Sequence, residues 1–336
     1  MDTTYLHLSK LIKFSMFKLI CLSIFLLPFV TKGQSDTIKI FDINKAAYKV
    51  LKVGVKPDFI ALDGDDAWVV DDHQSRVIKI SPDTDSALLI VLVPEACTAP
   101  SVGFNALWVM SCTEKTLYRI DHNTGAIVAK IATGMAEGNG EMSLAVADGS
   151  VWLLSDSSGI LIRVDPKTNT IQKRIIVLPN SYGVAFGNDA IWVSNHLNNS
   201  VQKVSVQTNA VIATIPVGLK PRFIAATNNN VWTLNQGDGT VSKIDAGANK
   251  VIATINVKAV GGGGDIAADL NKVWVVSTNP EVPLQTIDVN SNAVTAIYQQ
   301  SHENGRIVKV DGAVRISDKF VWVSGYYSKN IWILKR

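Results

Sequence analysis

The chain of 336 residues has five histidines, and two of them, His73 and His196, sit among polar and acidic neighbours in "VVDDHQS" and "VSNHLNN". An imidazole in such company can serve as a base or as a metal ligand. Asp58, Glu141 and Asp265, with the amide of Asn195, could supply oxygen ligands to Ca2+ or Mg2+ if the fold brought them together, and Asp72 adds a further carboxylate candidate for ligand contact. Arg222 offers a planar fork to an anion, while Tyr182 and Tyr326 each offer a ring face and a hydroxyl. Scattered along the chain, these residues form a site only if the fold gathers them, and the sequence alone names no catalytic residue and no metal set.

The local motifs of common chemistries are absent: no GxSxG, HExxH or phosphate loop occurs, and "GGGG" at 261–264 lacks the lysine and helix of a nucleotide loop. Cys97 and Cys112 lack the CxxC spacing of redox and zinc motifs. In an exported chain they read as a disulfide, which would contribute roughly 3 kcal/mol for a loop of that length, or else as two buried thiols.

Export is expected from the N-terminus, where "LICLSIFLLPFV" follows Lys10, Lys13 and Lys18 and precedes "TKGQS". An apolar run this short, with basic residues before it and small residues after it, reads as a signal peptide over residues 1–33, with Met16 as a second candidate start. The remaining domain, 34–336, then belongs to a periplasmic or secreted protein with no stable membrane anchor. The leader holds four Lys and one Asp, so the rest has 32 − 4 = 28 basic and 29 − 1 = 28 acidic residues. A neutral domain gives nucleic acid no electrostatic motive to bind.

The elements that must position the candidates are set by repetition. Trp68, Trp108, Trp152, Trp192, Trp232, Trp274 and Trp322 follow one another at spacings of 40, 44, 40, 40, 42 and 48 residues, each in a short apolar strand such as "AWVVD" or "IWVSN". Each period repeats four strands, seen most cleanly as "RFIAAT" (A), "VWTLNQ" (B), "TVSKID" (C) and "KVIATINV" (D), with "NNN", "GDG" and "AGAN" as turns tolerant of positive φ. Four-stranded units repeated near forty residues predict an all-β, seven-bladed β-propeller of antiparallel blades. The tryptophans then pack between blades. The C-terminal repeat has strands A, B and C but no D, so the ring must be closed by strands from both termini. Either "TIKIFD", which resembles a C strand, or "AYKVLKVG", which resembles a D strand, supplies the missing one.

In this register the loops from D to A and from B to C share the top face, around the mouth of the central channel. Asp58, Glu141, Tyr182, Arg222 and Asp265 fall at or beside the start of strand A, and Asp72, His73, Asn195, His196 and Tyr326 fall in the B to C turn. Asn195 reads as a turn residue first. His196 has no counterpart in the other repeats, so it is either a solvated turn residue or a ligand contact.

The stretch "VIATIPVGLKPRFIAATNNNVWTLNQGDGTVSKIDAGANKVIATINV" resembles the YVTN-repeat β-propellers, with tryptophan where that motif has tyrosine. The resemblance spans residues 38–336, and more distantly the repeat is similar to streptogramin (virginiamycin B) lyases and gluconolactonase-type propellers. It implies the fold and leaves function open between binder and enzyme. A streptogramin lyase is expected to carry histidine in "PHGI"-like strand-A motifs, where this chain has "PDFI" and "PRFI". The expected function is therefore non-catalytic binding of a small molecule, peptide or partner protein at the channel mouth by a monomer. The alternative is a lyase or lactonase assisted by Ca2+ or Mg2+.

Overall fold

The computed structural model describes residues 37–53, 56–71, 74–134, 143–154, 156–303 and 306–336, with the backbone alone over 301–303 and 306–308. The signal peptide expected at 1–33, and with it Met16, lies outside the described residues. Among the described residues seven blades stand in a ring, each an antiparallel four-stranded sheet, with one extra strand added to the sheet of blade six. Each A strand packs against the A strand of the next blade, and the last, Val314–Ile316, packs against the first, Pro57–Asp63. Among the described residues no helix is long and apolar enough to cross a membrane.

Position within a blade explains the pattern of each strand. The B strands Ala106–Ser111 and Ala190–Asn195 are buried along their whole length because a neighbouring blade covers each face. D strands such as Lys250–Asn256 form the outer edge and alternate between exposed and partly buried positions. Directly opposite each aligned tryptophan, strand A carries Ala61, Ser101, Ala145, Ala185, Ala225, Ala267 or Arg315. A small residue there leaves room for the indole to fill the wedge between blades, and all seven are at most 3% exposed.

On the other side of each tryptophan, strand C places Lys79, Arg119, Arg163, Lys203, Lys243, Thr286 or Ile333. The five cations lock one blade to the next. Lys203 lies 5.0 Å from the Trp192 ring and donates to the Ala246 carbonyl at 2.8 Å and to Asn249 Oδ1 at 3.2 Å in the following C to D turn. Arg119 and Arg163 make the same pair of bonds to Pro166 and Asn169 and to Val206 and Asn209. Lys243 bonds to Val289 and Asn292, and Lys79 reaches the His122 carbonyl. Among the described residues blade six has Thr286 at this position, and it faces blade seven, whose D strand comes from the N-terminal segment and so is not joined to strand C by a turn.

Closure comes from the N-terminal segment β1 (Lys39–Asp42), α1 (Ile43–Ala46) and β2 (Lys49–Lys52). The segment β2, from "AYKVLKVG", is the missing D strand, paired antiparallel to Asn330–Lys335. The "TIKIFD" segment is not a C strand: β1 adds to blade six in parallel, beside Val294–Gln299, as a fifth outer strand. Between them α1 buries Ile43, and Asn44 accepts a 2.6 Å bond from the indole of the fully buried Trp332. Lys49 continues the locking pattern, donating to the Pro82 and Thr84 carbonyls of blade one at 3.0 Å each.

Two local expectations resolve differently. Cys97 and Cys112 form a disulfide, with Cα atoms 5.8 Å apart, that ties two top-face loops of blade two. The "NNN" turn, by contrast, closes without positive φ: Thr227 N–H donates to the Asn230 carbonyl at 2.8 Å, and the Thr227 hydroxyl accepts from Asn230 N–H at 3.2 Å. The other two turns of that blade take positive φ as expected, at Gly239 of "GDG" (φ 70°) and Asn249 of "AGAN" (φ 53°), and the A to B turn of blade four does so at Asn188 and Asp189 (φ 51° each).

Candidate functional site

The top face brings three of the candidates into one cluster at the junction of blades four and five. Tyr182 starts strand A of blade four (Ser181–Gly187), His196 follows strand B (Ala190–Asn195), and Arg222 starts strand A of blade five (Pro221–Ala226). Gly183 makes the approach possible, because a Cβ there would lie 2.6 Å from the Arg222 carbonyl oxygen. Ser194 fixes the spacing: its hydroxyl accepts from Gly183 N–H at 2.9 Å and donates to the Arg222 carbonyl at 2.6 Å.

Within the cluster the Arg222 guanidinium lies 4.9 Å from the Tyr182 ring centroid and donates to the Gly262 carbonyl at 2.9 Å. The His196 ring meets Tyr182 edge-on at 5.6 Å. Its backbone N–H donates to the Asn180 carbonyl at 3.0 Å, and its buried Nδ1 meets no hydrogen-bond partner among the described residues. Burial, then the charges of Arg222 and Lys220, hold the imidazole below its ordinary pKa. His196 is therefore neutral at neutral pH, so the site combines a cation, a neutral imidazole and a phenol.

Asn195 serves as scaffold. Fully buried, it donates to the Pro179 carbonyl at 2.5 Å and accepts from Asn198 N–H at 2.8 Å, the turn role its position predicts. Gln236, absent from the sequence-based set, donates to the Gly263 carbonyl at 2.9 Å and so holds the "GGGG" loop beside Arg222.

The remaining candidates lie elsewhere. Asp58 and Tyr326 belong to the opposite side of the ring, where the Tyr326 and Tyr327 rings meet edge-on at 5.1 Å and Lys56 lies over Tyr326. Nearby Asp311 accepts backbone bonds from both tyrosines, and burial pushes its carboxyl up. Asp265 is not a rim residue. It is 4% exposed and forms part of the channel wall, where it accepts from Val314 N–H at 3.0 Å and pairs with Arg315. Burial raises its carboxyl pKa. Asp72, His73 and Glu141 lie outside the described residues. Among the described residues no group of three His, Cys, Asp or Glu side chains converges as a metal set.

No family model matches the chain, and no curated protein matches it. The YVTN-repeat likeness therefore rests on the repeat residues themselves. Solved structures do match. A streptogramin B lyase superposes with a TM-score of 0.69 at 15% identity, covering 85% of this chain and 96% of that one. Virginiamycin B lyase from Staphylococcus aureus gives a TM-score of 0.68 at 13% identity, covering 86% of this chain and 98% of that one. At such identities the likeness is one of fold.

Proposed function

We propose that this protein is an exported, non-catalytic propeller that binds a small planar molecule bearing an anionic oxygen at the Tyr182, His196 and Arg222 cluster. The observation carrying the reading is the convergence of those side chains from two blades, held by Gly183 and Ser194. Tyr182 supports the Arg222 guanidinium, whose plane can stack on a flat ligand, Lys220 adds positive charge, and a neutral His196 with Nδ1 enclosed leaves Nε2 for a ligand. Export agrees with the disulfide, which persists in an oxidising compartment. Calorimetric titration with salicylate tests the reading: the native protein binds, and Tyr182→Ala and Arg222→Ala each weaken binding about tenfold or more. Unchanged binding by both variants, or none by the native protein, would refute it.

A second reading is a lyase, favoured by the fold shared with streptogramin B lyases. His196 would then be the base that removes a proton in an elimination, a role suited to a neutral imidazole. Incubation with virginiamycin B decides it, because elimination leaves a carbon–carbon double bond that absorbs in the ultraviolet. Growth of that band, lost in His196→Ala, would establish the lyase and displace the binding reading.

A further inference from the structure

Below the rim, a cavity of about 280 Å³ lies on the axis, lined by strands A of all seven blades. Its walls are mostly small or apolar, including Phe59, Ala99, Val184 and Ile266. One charged feature breaks this lining. Arg315 stands where five blades carry alanine and one carries Ser101, directly opposite its blade's tryptophan.

The guanidinium is held from one side. Nη1 donates to Asp265 Oδ2 and to the Val314 carbonyl at 2.7 Å, which uses both of its protons. Asp265 is fixed in turn by the N–H groups of Val314 at 3.0 Å and Ile266 at 2.9 Å. Among the described residues, Nε and Nη2 meet no acceptor, and neither is a buried atom. Those two nitrogens carry parallel N–H bonds on the side of the guanidinium away from Nη1, the geometry that takes both oxygens of one carboxylate. The Arg315 side chain is 26% exposed, in a chamber whose other walls offer little competing charge.

We propose that the channel is a second binding site, distinct from the rim cluster, in which the Nε and Nη2 fork of Arg315 holds the carboxylate of a small aliphatic acid. Asp265 is its positioning residue, orienting the fork and keeping the pair neutral before the ligand arrives. The small walls admit an aliphatic tail of metabolite size, because a cavity of this volume stands at the lower end of small-molecule sites. A spherical anion can sit only between the two N–H bonds and meets both at an angle, whereas a carboxylate meets each with its own oxygen, so the site discriminates by shape as well as charge.

The test is titration of the full domain with acetate and pyruvate, read by calorimetry and by the Nε–H signal of Arg315 in 15N NMR. The native protein and Arg222→Ala bind with millimolar constants and shift that signal. Arg315→Lys keeps the charge opposite Asp265 but loses the fork, weakening binding about tenfold or more while its thermal unfolding stays cooperative. Because Arg222→Ala removes only the rim site, failure of salicylate binding and failure of carboxylate binding are separable. Equal binding by Arg315→Lys, a chloride response as strong as that of acetate, or no shift of the Nε–H signal would each overturn the proposal. If Arg315→Lys fails to fold, the NMR shift in the native protein decides alone.

Discussion

His196 shows what a single residue reveals in sequence and what it conceals. Its position in a B to C turn, and its lack of counterparts in other repeats, are legible from the chain. Its contact with Tyr182 and the enclosure of Nδ1 depend on a neighbouring strand and loop that no local pattern specifies. His196→Ala is expected to change stability by less than about 0.5 kcal/mol, since the ring lies at the edge of the core, while removing salicylate binding. The lowered imidazole pKa adds a pH signature. Between the folded pKa and the unfolded one the unfolded chain binds more protons, so stability is complete above the unfolded value and falls as pH drops below it. Urea unfolding between about pH 7.5 and 5.5 should therefore show a decline in the native protein that His196→Asn lacks. An identical decline in both would assign it to other groups. Arg315 was hidden for a different reason: blade seven departs from the repeat, so the alanine column that makes the arginine conspicuous emerges only once strands are paired.

At the scale of elements, tryptophan spacing alone was enough to predict seven B strands, because an indole filling a wedge is needed once per blade. The basic residue in the "VSKID" strand was equally visible, but its role was not. Lys243 bonds to Val289 and Asn292 in a different blade, 46 and 49 residues along the chain. Lys243→Met keeps much of the side-chain volume but removes both bonds and the stacking on Trp232, so unfolding by urea should show a loss of about 1 to 3 kcal/mol. An unchanged midpoint would mean that the lock contributes nothing. The disulfide was readable from cysteine count and expected compartment. Replacing Cys97 and Cys112 with alanine should cost roughly 3 kcal/mol, measurable as a lower unfolding midpoint under oxidising conditions.

The whole molecule depends on its two ends meeting. The need for an N-terminal partner was evident from the missing D strand, whereas the choice between the two segments required three dimensions. The segment β2 completes blade seven, and β1 extends blade six in parallel, an arrangement that a repeat of antiparallel blades does not foreshadow. Removing residues 37–53 therefore takes away a blade strand, the bonds of Lys49 to blade one and the helix packed beneath Trp332. Such a variant should lose its cooperative thermal transition in circular dichroism, and a soluble, sharply melting product would contradict closure by β2. A closed ring also keeps the rim cluster and the channel in fixed positions, which is the premise of the functional account. The most direct test of that account is a crystallographic screen of planar carboxylates. Density against the Tyr182, Arg222 and His196 cluster is the predicted result. Fragments settling elsewhere, with that part of the rim empty at saturating concentration, would contradict it.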